Sequence, residues 1–149
     1  MFFLKSLNQP NMKSLRLSFA TISILEKNLA EIIIDEGIIM DEVMVDEYHD
    51  FLLTNLTAPF SLIINKRHCY SYTFEAQKTI CNLKEIHLMA VIVTTNGALM
   101  ATETLIKINE QNNWNIEMFN DRDLALKWIY SFDNYSMVMD DRQKTLGKR

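Results

Sequence analysis

Apolar and polar residues alternate from the start of the readable pattern. Leu15, Leu17 and Phe19 interleave with Arg16, Ser18 and Ala20. That two-residue period belongs to a strand with one buried face. Ile22 and Ile24 continue the alternation with its phase moved by one, which predicts a β-bulge near Ala20 or Thr21 inside a single strand. Glu26, Lys27 and Asn28 read as a turn, and the apolar run from Leu29 to Ile34 as the second arm of a hairpin. Asp35, Glu36 and Gly37 break that run.

From Asp41, a plausible N-cap, the period becomes helical. Met40, Val43, Met44, Tyr48, Phe51, Leu52 and Leu56 fall on one face of the predicted helix. Pro59 then leads into the short apolar run Phe60–Asn65. A second helix is predicted from about Thr73 to Leu83, with Ala76 and Ile80 inward. The run from Ile86 to Val93 is almost wholly apolar, as in a strand covered on both faces. A third helix starts near Gly97 with Ala98, Ala101, Leu105 and Ile108 as its inner stripe. Trp114–Phe119 is the last strand. A helix from Asp121 to Phe132 follows, capped by Asn120, with Leu124, Ala125, Trp128, Ile129 and Phe132 inward.

Strands alternating with helical patterns imply right-handed crossovers and a parallel sheet. The expected fold is α/β: a five-stranded, mixed, mostly parallel sheet with four helices. The first strand should lie antiparallel at one edge, and 86–93 in the middle. Residues 14–133 form the domain, 1–13 a loose leader, and 134–149 a flexible tail with a single apolar side chain in its last ten positions. Met12 offers an alternative start to Met1.

Composition narrows the function classes. With 149 residues the chain suits one domain. A net charge of -4 offers no global attraction to nucleic acid or to an anionic membrane. No run approaches the roughly 18 apolar residues of a membrane span. Cys69 and Cys81 are too few for a disulfide framework and read as inert thiols in a reducing cytoplasm.

The element order β-β-α-β-α-β-α-β-α resembles the STAS-like fold of anti-sigma-factor antagonists and of the cytoplasmic domains of sulphate transporters. The closing text from Trp114 to Ile129 is similar to that of small bacterial STAS-like proteins: a strand ending in Phe119, a polar cap, then Ala125 and Trp128 on the final helix. Thr73, Phe74, Glu75 and Ala76 are similar to the start of their second helix. The likeness covers roughly residues 15–131. It implies a non-enzymatic interaction or regulatory module, without cofactor, that docks a partner protein. In the antagonists, the turn after the third strand carries Asp-Ser-Ser-Gly and a phosphorylated serine. Here that turn lacks the string and holds Ser71 and Thr73 as its nearest hydroxyls.

The candidate docking or anion site is therefore Lys66, Arg67, Ser71 and Thr73, with Asn96 and Gly97 in the next equivalent turn. Such loops lie at the C-terminal ends of parallel strands, where open α/β sheets place ligands, and they run into helix N-termini. The ordinary alternative is a solvated loop with Thr73 as a helix cap. Glu42, Asp46 and Asp50 share a helix face, which is either solvated or a dock for a basic partner. His49, His68 and His87 match no zinc spacing, and no acid, base and nucleophile set stands out. The alternative function is a carrier of lipid or a small apolar ligand, related to CRAL-TRIO-type domains, with methionines such as Met40, Met44, Met89 and Met100 lining the space. The first strand's open edge also suits a homodimer.

Overall fold

The computed structural model describes residues 13–112 and 115–132. The expected leader, its alternative start and the tail lie outside the described residues, apart from Lys13. The strands are β1 (Lys13–Leu17), β2 (Ala20–Glu26), β3 (Leu29–Ile34), β4 (Ile39–Met40), β5 (Phe60–Asn65), β6 (Ser71–Tyr72), β7 (Ile86–Ile92) and β8 (Ile116–Phe119). The helices are α1 (Glu42–Asn55), α2 (Phe74–Thr79), α3 (Asn96–Ile108) and α4 (122–132).

Six strands form the main sheet in the order β1-β2-β3-β5-β7-β8. The hairpins β1–β2 and β2–β3 are antiparallel, while β3, β5, β7 and β8 run parallel. The α/β class, the four helices and the mixed sheet stand as expected. The strand count does not, because the expected first strand is two strands. Leu17 pairs with Ala20, so Ser18 and Phe19 form a two-residue turn where a bulge was predicted. The phase slip marks a reversal of direction: Leu15 comes to lie beside Ile22 on the same face. The turn carries no Gly or Asn to announce it. Arg16 braces it with a bidentate grip on Asp35, at 2.9 and 2.8 Å. A register shift does occur in β2, between Ile24 and Glu26.

Helices α1, α2 and α3 cover one sheet face. Ile22, Ile32, Leu62, Ile64, Met89 and Val91 pack there against Val45, Tyr48, Leu52, Ala76 and Leu105. Helix α4 covers the other face, with Ala125 and Ile129 against Leu29, Ile63, Leu88, Ala90 and Ile92. Strand β7 is covered on both sides, as its apolar run predicts, but it lies next to the edge strand β8 rather than in the middle of the sheet.

Several inward positions differ from expectation. Asp41 caps α1 as expected, accepting from the Met44 N–H at 2.9 Å, and Tyr48 and Leu52 are inward, but Val45 joins them in place of Val43. Val43 is 74% exposed. Helix α2 is shorter than predicted because the Asn82 N–H bonds to the Thr79 carbonyl in a turn that sends the chain toward β7. On α3 the inner residues are Thr102 and Leu105, while Ala101 and Ile108 face out. Asp121 rather than Asn120 meets the α4 amides, accepting from the Asp123 N–H at 2.7 Å, and Leu124 is exposed.

Candidate functional site

The parallel strands all end at one edge, and the chain beyond β5 shapes it. Successive strand residues point to opposite faces. Asn65 turns toward the α4 side and donates from Nδ2 to Glu31 Oε2 at 2.9 Å. Glu31 Oε1 accepts from Arg122 Nε at 2.9 Å and Nη2 at 2.7 Å, which ties the start of α4 onto β3. Lys66 turns the other way, beneath α1, α2 and α3, and is only 8% exposed.

The loop beyond Lys66 returns to the edge. Arg67, His68 and Cys69 are exposed. The Cys69 N–H donates to Glu36 Oε1 at 3.0 Å, and the Gly37 N–H to the Cys69 carbonyl at 2.7 Å. Gly37 takes φ +81°, a left-handed turn that suits glycine. The chain then forms β6, which pairs with β4 as a separate two-stranded parallel ribbon, Ile39 opposite Ser71 and Met40 opposite Tyr72. Sequence pattern does not reveal this ribbon, since two-residue strands carry no period.

The predicted site residues are not equivalent. Arg67 and Ser71 are exposed at the edge. Thr73 caps α2, its hydroxyl accepting from the Ala76 N–H at 3.2 Å. Asn96 and Gly97 open α3 and are exposed, with Thr95 as the cap. A Cβ at Gly97 would meet nothing within 4 Å, so no close contact calls for glycine there. Gly97→Ala should raise stability by about 0.5 kcal/mol through helix propensity, read from thermal unfolding. A loss would mean that the backbone at this turn needs glycine.

Lys66 does not join the others on the surface. It lines a cavity between sheet and helices whose interior is only about 20 Å³, room for roughly one water molecule. Ile32, Ile64, Met89 and Val91 supply the sheet wall, Tyr48 and Thr102 reach it from the helices, and Cys81 from the turn after α2. The Lys66 ammonium lies 5.3 Å from the centre of the Tyr70 ring and 5.6 Å from that of Tyr72. The two rings meet edge to face, their hydroxyls 3.3 Å apart.

Burial sets the electrostatics. It lowers the Lys66 ammonium to about 8, with the nearby Cys81 acting weakly against that. Burial lifts the Cys81 thiol to about 12, partly offset by Lys66. Although Tyr70 and Tyr72 are only partly buried as residues, burial is also the main influence on their hydroxyls, raising Tyr70 to about 12 and Tyr72 well above its ordinary value. Tyr48 is raised for the same reason.

Sequence reasoning missed Glu31, Arg122 and Thr102. A single charge within Leu29–Ile34 and a threonine between Ala101 and Glu103 on α3 were the available signals. Among the described residues, no three of His, Cys, Asp or Glu gather to hold a metal ion, and no helix is long and apolar enough to cross a membrane. Glu42, Asp46 and Asp50 are exposed on α1. In comparisons with family models, curated proteins and solved structures, nothing matches this chain.

Proposed function

We propose that this chain is a non-enzymatic STAS-like interaction module of the bacterial cytoplasm. It docks a partner protein through the edge built by β4, β6, the 66–73 loop and the first turns of α1 and α2. One observation carries the reading. Ile39, Val43 and Phe74 are large apolar residues exposed by 61, 74 and 62%, and all three belong to this edge. Ile39 pairs with Ser71, Val43 sits in the first turn of α1, and Phe74 begins α2. Arg67 and His68 are exposed beside them. An apolar centre with a polar rim is the usual make-up of a docking patch.

The STAS-like assignment draws support from the element order. From β2 onward, the ribbon apart, it runs strand, strand, helix, strand, helix, strand, helix, strand, helix. The cytoplasmic setting draws support from the two unbridged cysteines. Ser71 is the better modification point, because it is exposed while the Thr73 hydroxyl is engaged in capping. A phosphate there would place about two negative charges within the patch and oppose docking of an apolar or acidic partner. Among the described residues, β1 pairs on one side only, with Lys13, Ser14 and Arg16 exposed, so a second copy is a partner to test as well.

Val43→Asp with Phe74→Asp should abolish capture of the partner while leaving stability within about 0.5 kcal/mol of wild type. Leu124→Asp, on α4, is the control. A partner retained by all three proteins, or lost equally from the control, would put the docking surface elsewhere.

A further inference from the structure

A larger opening stands at the other ends of the parallel strands, away from the docking edge. A cleft of about 380 Å³ lies beside the start of β7 and the residue before β8. That is within the roughly 300–1,000 Å³ of small-molecule sites. Its wall has two tiers. Cys81 and Met89 are buried and form the base, with Leu83 and Ile86 half-buried above them. Asn82, Asn112 and Asn115 are exposed and supply the rim. These three amides come from separate places: the turn after α2, the short 3-10 turn after α3, and the approach to β8. Asn112 is positioned from within, its Nδ2 donating to Asn109 Oδ1 at 3.3 Å. The buried Asn109 donates in turn to the Gln77 carbonyl at 2.9 Å, which ties this part of the rim to α2.

We infer that this cleft is a binding site for a neutral monosaccharide. A pyranose ring has an apolar face of C–H groups and a circumference of hydroxyls, each both donor and acceptor. The apolar tier receives the face, and the three amides meet the circumference. A primary amide carries two N–H donors beside a carbonyl acceptor, so one asparagine serves two neighbouring hydroxyls. The His87 ring, also on the wall, adds a further donor or acceptor. Charge selects a neutral ligand. No carboxylate is among the described lining residues, so a cation finds no counter-charge there. Lys84, the one lysine of the wall, has its Nζ 2.7 Å from Glu85 Oε2, so an anion would have to compete with that carboxylate. The volume admits one such ring. The inference is independent of the docking patch, whose partner it neither supplies nor requires.

Titration of the isotope-labelled full chain with glucose, galactose, mannose and N-acetylglucosamine, followed by NMR, tests it. At least one sugar should shift the side-chain amide signals of Asn82, Asn112 and Asn115 and saturate with a Kd of about 1 mM or tighter. Glucuronate and glucosamine, which carry a negative and a positive charge, should bind no more tightly than the neutral sugar. Asn82→Ala with Asn115→Ala should weaken binding at least about tenfold, the loss of one or two hydrogen bonds. Both positions are exposed, so thermal unfolding should be unchanged and the loss assigned to the site. Arg67→Ala, at the docking edge, should leave sugar binding as it is. No shift from any of the four sugars at about 10 mM, shifts centred elsewhere, or an affinity indifferent to the double substitution would overturn the inference. Tighter binding of glucuronate would make the cleft an anion site on Lys84 and overturn neutral recognition. Adenosine bound there in place of every sugar would overturn the monosaccharide assignment as well.

Discussion

Arg122→Met should cost about 3 kcal/mol of stability, or roughly 6–12 °C in Tm for a domain of this size. Arg122 supplies both donors on Glu31 Oε1, and the Glu31 side chain is only 8% exposed. Removing the guanidinium leaves a carboxylate inside the α4 side of the sheet with Asn65 as its remaining partner. An uncompensated buried charge is far more costly than a lost surface ion pair. Replacing both residues, Glu31→Met with Arg122→Met, should recover most of the loss, because an apolar pair removes the charge altogether. Urea unfolding of the two variants decides the matter. If Arg122→Met lies within about 0.5 kcal/mol of wild type, the contact is an ordinary surface pair.

The second large effect concerns pH. Lys66 in the folded chain lies at about 8, below its unfolded value of 10.5. Over that interval the unfolded chain holds a proton that the folded chain has released, so stability rises with pH. Cys81 works in reverse. Its folded value of about 12 exceeds its ordinary 9, so its contribution is lost above pH 9. Tyr48, Tyr70 and Tyr72 are also raised, and their contributions decline above pH 10. The sum is a gain of about 1 kcal/mol between pH 7 and pH 9, a maximum near there, and a decline in stronger base. Lys66→Met should abolish the rise and stabilise the chain at pH 7 by as much as about 3 kcal/mol, the burial cost of the charge. Denaturant midpoints across pH 6.5–10 provide the check. A wild-type curve that is flat or falling from 7 to 9 would contradict the burial of this ammonium, and so would an equal rise in the variant.

The parallel core was legible because it depends on repetition. Phe60–Asn65 is buried along its whole length and Ile86–Ile92 is almost wholly apolar, as covered strands require. What escaped depended on single residues. The Ser18–Phe19 turn lacks turn chemistry, so the reversal looked like a bulge. Val43 and Val45 are the same residue type two positions apart, and only Val45 shares a helix face with the buried Tyr48 and Leu52, three and seven residues on. The sequence pattern groups Lys66 and Arg67 in one docking or anion site. Strand alternation runs one residue past Asn65, however, and carries Lys66 inward while Arg67 stays out. Thr102 was unreadable for the same reason: a short polar side chain at an inward position looks like any surface threonine until its neighbours are placed.

Asn65 and Lys66 are consecutive, yet one reaches toward the last helix and the other into the helix layer opposite. A single peptide unit thus serves both sides of the sheet. A substitution at Asn65 is felt in the clamp on the final helix, and one at Lys66 beneath the three helices opposite.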